Sequence, residues 1–302
     1  MTGRTDVGTA TLSDGARERV LLRRILPVAT CGAVRQEQPV VLFVAGPPGS
    51  GKTVVADLLH AVLDRRGGAV RVCSDLYKVE HPGYAEALAG DVRTAGALVR
   101  ADTRQWQAEV EAAVRRQGFD AVVETALDDV ERFRADAAAY RRSGHRIEVA
   151  AVPTAPALCQ LGALDRYLAG GLRYVSWENQ DGCNRRIPAV LEAIEAEQLA
   201  DRVVLLRRGC ELLYDNELNP GGGWRRPAVA GRAWVRESSR SWSARETAVF
   251  RQGLARAVRT VELAPLEEDQ RQAVRRDAER AAALAEPGQR RAQARTRAPG
   301  VA

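Results

Sequence analysis

A chain of 302 residues has room for one large α/β domain, or a domain with an appendage, and can bury a sizeable core. Its 45% apolar and 28% charged residues are the proportions of a soluble globular protein, and no apolar run approaches the ~20 residues of a membrane span. The net charge of +6 admits an acidic partner, the five scattered cysteines read as reduced thiols of a cytoplasmic protein, and three dispersed histidines exclude a histidine-rich zinc site.

Residues 1–12 lack the apolar core of a signal peptide and are expected to be disordered. Ser13 caps a predicted helix to about Leu26, with Pro27 as its stop. The unbroken apolar run Val40–Ala45 has the length and β-branched content of a buried parallel strand. It leads into Gly46-Pro47-Pro48-Gly49-Ser50-Gly51-Lys52-Thr53, which fills the pattern G-x-x-x-x-G-K-[ST] at every fixed position. A helix over Thr53–Arg66 follows, with Val54, Val55, Leu58, Leu59 and Val62 assigned to one apolar face.

A second strand, Ala69–Cys73, delivers Ser74-Asp75 at the edge where an open α/β sheet gathers ligand chemistry. Leu76–Tyr84 carries turn residues and aromatics that look exposed, and reads as a functional loop. Helical pattern resumes through Val114 and stops near Gly118. The third strand, Phe119–Val123, ends on Glu124-Thr125. A helix over Asp128–Ser143, a strand over Arg146–Val152 and a helix from Pro156 to Ala169 come next. Leu172–Cys183 reads as a loop, Ile187–Leu199 as a helix, Asp201–Leu206 as a fifth strand and Glu211–Tyr214 as a short sixth. Such alternation predicts an α/β fold, a mainly parallel sheet flanked by helices, over residues 13–219. The glycines and prolines of 220–242 suggest a linker, and 243–302 a helical, arginine-rich C-terminal extension.

The glycine-rich stretch fits the chemistry of a nucleotide phosphate. Glycines let backbone N–H groups curl around phosphate oxygens, and the following helix adds its positive dipole end. Lys52 then reaches the β- and γ-phosphates of ATP, and the Thr53 hydroxyl ligates Mg²⁺. Lys52 and Lys78 are the only lysines in a chain otherwise committed to arginine, which favours a role for the compact ammonium at position 52. Asp75 and Glu124, at neighbouring strand ends, can face the same mouth. In a small-molecule kinase one such carboxylate accepts the substrate hydroxyl proton and another holds the substrate.

Asp75-Leu76-Tyr77-Lys78, with His81-Pro82 and Tyr84, resembles the D-x-[YF]-[RK]-x-x-H-P-x-[YF] signature of the zeta toxin family, P-loop kinases of UDP-N-acetylglucosamine. Val122-Val123-Glu124-Thr125, Asp165-Arg166-Tyr167, Gly171-Leu172-Arg173, Asp181 and Leu213-Tyr214-Asp215-Asn216 follow in the family's order, so the likeness covers about residues 13–218 and implies that the α/β fold is P-loop kinase-like. It implies that Asp75 deprotonates the sugar 3′-hydroxyl, that Glu124 and Thr125 hold the UDP-sugar, and that Arg166 and Arg173 flank the transferring phosphoryl group. His81 would order the acceptor site and Lys78 would contact acceptor phosphates. The resemblance further implies a toxin of a toxin–antitoxin pair, held in check by a proteinaceous antitoxin. The chain departs from the family where Gln180-Asp181 replaces His-Asp, which is expected to remove a polar contact, and where Glu124-Thr125 replaces E-G-T. Trp177 stacks on a base or sugar, or packs between helices. An antibiotic, a nucleoside or another nucleotide is the alternative acceptor. A nucleic-acid-binding role for the basic tail is the lesser reading, because Glu267, Glu268, Asp269, Asp277 and Glu279 dilute its charge.

Overall fold

A computed structural model describes residues 11–170, 175, 177–264 and 266–297, with the backbone alone at 178 and 286–297. β1 (Val40–Ala45) is buried along its whole length, as an unbroken apolar run is when both faces of a sheet are covered. Each of its larger side chains contributes roughly 1.5–3 kcal/mol by leaving water. β1 lies between β3 (Asp120–Thr125) and β4 (Arg146–Ala151), with β2 (Ala69–Val72) beyond β3 and β5 (Arg202–Leu206) beyond β4, all parallel. β6 (Leu212–Glu217) runs antiparallel to β5 and closes the order β2-β3-β1-β4-β5-β6. Val44 pairs with Glu124, Ala45 with Thr125 and Val72 with Val123. The segments leaving β1, β2 and β3 therefore emerge at one edge of the sheet.

The first helix differs from the sequence expectation. α1 (Asp14–Val20), capped by Ser13, passes through a π-helical turn at Leu21–Ile25 into α2 (Leu26–Ala29). Pro27 comes just after the π turn, where the regular α-helical bonding is already interrupted, and the helix runs past it.

α3 (Lys52–Asp64) also sits differently. Val55, Ala56 and Leu63 are buried against the sheet, whereas Val54, Leu58 and Val62, expected on the same face, are 60, 53 and 56% exposed. Apolar residues occupy most of this helix's circumference, so its rotation is set by how the chain leaves Gly51, which holds φ at 90°.

α4 (Tyr84–Gly90), α5 (Val92–Leu98) and α6 (Arg100–Gln117) lie between β2 and β3 in the chain. α7 (Val130–Arg142), capped by Asp129, and α8 (Pro156–Leu168) flank β4 in sequence. α9 (Trp177–Ala196) begins ten residues before the helix expected at Ile187. Its first ten residues, Trp177 to Arg186, have no apolar period, and buried Gln180 and Cys183 hold them by tertiary contact instead. The stretch read as a linker contains α10 (Ala230–Ser238), which packs on α9 and β5 and buries Trp234 in the main core. Glu195 of α9 binds this region together. Its carboxylate accepts from Tyr214 Oη (2.5 Å), Asn216 Nδ2 (3.2 Å) and the Ala230 amide (2.7 Å).

α11 (Ala244–Leu263) opens with a capping box between Ser243 and Glu246, and α12 (Glu268–Arg297) follows it. Both pack on α8, through clusters that join Leu161 to Trp242 and Phe250, and Leu164 to Val261 and Val274. Arg271 pairs with Glu268 at 3.0 Å and not with the Glu267 four residues before it, while Arg275 pairs with Glu262 at 2.9 Å. These two arginines of the tail are thus neutralised within the chain. Among the described residues no helix is long and apolar enough to cross a membrane.

Candidate functional site

The glycine-rich loop has the backbone that its composition suggests. Gly49 and Gly51 hold φ at 78° and 90°, where a β-carbon brings strain. Gly49 also lies against α8: a β-carbon on it would fall 2.0 Å from the Cys159 carbonyl oxygen. The approach is mutual, since a β-carbon on Gly162 would meet the Gly49 carbonyl oxygen at 2.5 Å. Thr154, just past β4, donates its hydroxyl to the Ser50 carbonyl at 3.2 Å. Lys52 opens α3 at this cradle, and among the described residues no carboxylate pairs with it. Its ammonium is available for phosphate oxygens.

Glu124 joins the cradle to the neighbouring strands. It accepts the Thr53 hydroxyl at 3.1 Å on one oxygen and Arg71 Nη2 at 2.7 Å on the other. A hydroxyl and a carboxylate at the mouth of a phosphate cradle are the hard-oxygen set that Mg²⁺ accepts when phosphates supply its remaining ligands. Among the described residues no cluster of three His, Cys, Asp or Glu forms an all-protein metal cage, so Thr53 and Glu124 fit a metal that arrives with its nucleotide. Thr125 turns back, its hydroxyl accepting the Leu127 amide at 3.1 Å.

Asp75 follows β2 by three residues and pairs with Lys78 Nζ at 2.7 Å. Lys78 lies along α5, its Nζ 3.1 Å from the place of a β-carbon on Gly96. The segment after Asp75 is more ordered than a loop: a 3₁₀ turn spans Lys78–Glu80, α4 begins at Tyr84, and Tyr77 and Tyr84 are buried instead of exposed. His81, expected to order the acceptor site, is 3% exposed and lies beneath this segment. Its Nδ1 accepts the Gly83 amide at 3.1 Å, so Nε2 carries the proton and donates to Asp102 at 3.1 Å. Asp102 also accepts the Leu12 amide at 3.1 Å and Arg17 Nη1 at 2.9 Å, and Trp106 donates to the Arg17 carbonyl at 3.0 Å. His81 therefore ties the Asp75 segment to α6 and α1. Burial alone would raise the Asp102 carboxyl, but these donors together hold it below the ordinary value.

Beside Glu124 and Thr125 is a polar pocket of about 150 Å³, lined also by Ser74, Arg104, Asp128 and Arg132. Arg104 has no carboxylate partner among the described residues, and desolvation, then the guanidinia of Arg132 and Arg100, pull it below its ordinary value. Arg132 sits 3.7 Å from Asp136. Asp129 and Asp136 also line it, so four carboxylates stand with the two guanidinia and the pocket offers a ligand both donors and acceptors.

The remaining expectations divide. Arg166 stands one turn beyond Gly162 on α8, on the helix face that approaches the cradle. Arg173 lies outside the described residues. Trp177 faces Arg280 of α12, whose guanidinium is 5.9 Å from its ring. Gln180 is buried and donates Nε2 to the Pro48 carbonyl at 3.1 Å, which ties α9 to the cradle. Sequence reasoning missed Arg208, whose Nε lies 3.4 Å from the place of a β-carbon on Gly51 and which pairs with no carboxylate among the described residues. Its place just after β5, at the ligand edge of the sheet, was the available signal. Arg71 and Gln180 gave none, being a strand interior and a stretch without apolar period. Burial pushes the Cys73 thiol up to about 11 and the Cys159 thiol up to about 12, so neither is a thiolate nucleophile near neutral pH.

Known proteins resemble this chain in sequence and fold. The chain is 20% identical over 206 residues to Toxin PezT of Streptococcus pneumoniae serotype 4 (strain ATCC BAA-334 / TIGR4), covering 66% of this chain and 80% of that protein. A structure of the PezAT chromosomal toxin–antitoxin system of Streptococcus pneumoniae superposes with a TM-score of 0.70 at 19% identity, over 83% of this chain and 98% of that one. The AvrRxo1-ORF1:AvrRxo1-ORF2 complex with sulphate ions gives 0.56 at 15% identity, and the complex with ATP 0.54 at 14%, each over 93% of this chain and 96% of that chain. At these identities the likeness is one of fold. The family model described as zeta toxin matches residues 27–219, more than half the chain and every element that builds the cradle. This chain therefore belongs to the zeta toxin family, kinase-like phosphotransferases.

Proposed function

We propose that the protein transfers the γ-phosphoryl group of ATP to the 3′-hydroxyl of UDP-N-acetylglucosamine, and acts as a cytoplasmic toxin that a protein antitoxin restrains. The observation that carries this reading is Glu124, which links the Thr53 hydroxyl of the phosphate cradle to the polar pocket that Arg104 and Arg132 line. A nucleotide donor on the cradle and a hydroxyl-rich acceptor beside it suit these two neighbouring sites. The relatives described as members of toxin–antitoxin systems support the biological role.

In this reading the P-loop amides and Lys52 hold the donor phosphates. Mg²⁺, bound through Thr53 and Glu124, would neutralise charge on the β- and γ-phosphates. Asp75 accepts the hydroxyl proton as the acceptor oxygen bonds to the γ-phosphorus. The bond from that phosphorus to the β,γ-bridging oxygen breaks, and ADP leaves. Arg166 and Arg173 stabilise the equatorial oxygens during transfer. Lys78, already 2.7 Å from Asp75, moves with it and contacts acceptor phosphate, and Thr125 helps hold the sugar nucleotide.

The test is incubation with Mg-ATP and UDP-N-acetylglucosamine, followed by mass analysis for a phosphorylated sugar nucleotide. Asp75→Asn should cut turnover by about 10²-fold or more while ATP affinity stays within about twofold. Full activity in that variant would remove Asp75 from the base's role. Turnover of another phosphorylated acceptor alone would keep the kinase and change the substrate.

A further inference from the structure

Packing does not account for the arginine in the middle of β2. Arg71 stands between the fully buried Val70 and Val72, its side chain is 16% exposed, and its Nη1 is buried with no acceptor among the described residues. An apolar residue there would meet no such cost of leaving water. What Arg71 does have is reach. It lies opposite Val122 in the ladder, so it shares a face of the sheet with Glu124, two residues further along β3. Its Nη2 donates to Glu124 Oε1 at 2.7 Å and to Asp57 Oδ1 at 3.1 Å. Asp57 is one turn along α3 from Thr53, whose hydroxyl donates to Glu124 Oε2 at 3.1 Å. Thr53, Glu124, Arg71 and Asp57 thus close a ring across α3, β3 and β2.

We propose that Arg71 is a positioning residue for phosphoryl transfer: by occupying one oxygen of Glu124, it fixes the other as the acceptor of the Thr53 proton. The inference rests on the donor and metal reading above. A hydroxyl has one proton and two lone pairs, and committing the proton to Glu124 leaves the lone pairs for a cation at the cradle. A carboxylate with one free oxygen pair can turn and accept elsewhere. With a charge-assisted bond on Oε1, and Asp57 holding the guanidinium from α3, Glu124 keeps a single orientation. Groups placed behind metal ligands set their direction in this way.

The experiment compares the full chain with Arg71→Met, which keeps the side chain's length and removes its donors. A second variant, Arg71→Lys, keeps the charge but replaces the planar fork by one rotating ammonium. Titration calorimetry measures ATP affinity with excess Mg²⁺ and again with EDTA. In Arg71→Met the gain in affinity that Mg²⁺ confers should shrink about tenfold or more, with metal-free ATP within about twofold of the parent. Arg71→Lys should lose less of that gain, about threefold. Equal losses with and without Mg²⁺ overturn the inference, because Arg71 would then support only the cradle as a whole. So does an unchanged Mg²⁺ gain in Arg71→Met or, if that variant does not fold, in Arg71→Lys. A parent that binds ATP no better with Mg²⁺ overturns the metal reading itself, and one that binds no ATP overturns the nucleotide reading.

Discussion

Glu111, on α6, shows how much one buried carboxyl can impose. It is enclosed in the core with Gln107 Nε2 donating at 3.0 Å, and burial, reinforced by Asp136, pushes it up to about 7. The folded state therefore binds a proton more tightly than the unfolded chain, and this contribution to stability is lost as pH rises from the ordinary glutamate range through about 7. Glu111→Gln should remove that loss. Urea unfolding at pH 5 and pH 8 should show the parent falling, relative to the variant, by a few kcal/mol, on the order expected for such a shift. An identical pH dependence in the two proteins would mean that Glu111 titrates normally. Asp102, nearby in the sequence and equally buried, behaves oppositely because three donors surround it. Burial alone does not decide the sign.

At the scale of elements, the decisive contact is α8 against the P-loop. Gly162 is helical, so alanine there would favour the isolated helix by about 0.5–1 kcal/mol. In place, its β-carbon would press on the Gly49 carbonyl at 2.5 Å, forcing helix and loop apart. Gly162→Ala should thus weaken ATP and tripolyphosphate together, by about tenfold in calorimetric titration. A variant with unchanged affinity for both would show that the loop tolerates the displacement. The same logic explains α9, whose polar first half is helical because Gln180 meets Pro48 and Cys183 is buried near Asp128. Around Asp75, the His81–Asp102–Arg17 chain of bonds makes three elements one unit.

For the molecule as a whole, α10–α12 are structural members of the kinase fold. Trp234 packs in the same core as Phe43 and Trp106 although it lies beyond residue 219. Trp234→Ala should lower stability by about 3–5 kcal/mol, read as a shift of one denaturation transition. A change near zero is what a tryptophan in a free linker would give. The polar pocket beside Glu124 and the cavity between α8 and α11 lie on either side of β1.

The strands and their alternation with helices, the P-loop and the strand-end places of Asp75 and Glu124 were legible from residues alone, whereas the order of the strands in the sheet was not. A fully apolar strand, a fixed glycine spacing and the polar residues that end strands are local signals. Local pattern could not settle the rotation of α3, because apolar residues surround most of it and the left-handed Gly51 fixes its entry. Nor could it reveal α10, where one tryptophan in a polar, proline- and glycine-flanked stretch becomes a core residue only once α9 and β5 are beside it. Sequence determined which chemistry gathers at the sheet's edge. Tertiary structure decided which side chains face it, because His81, Gln180 and Arg208 take their positions from partners far away along the chain.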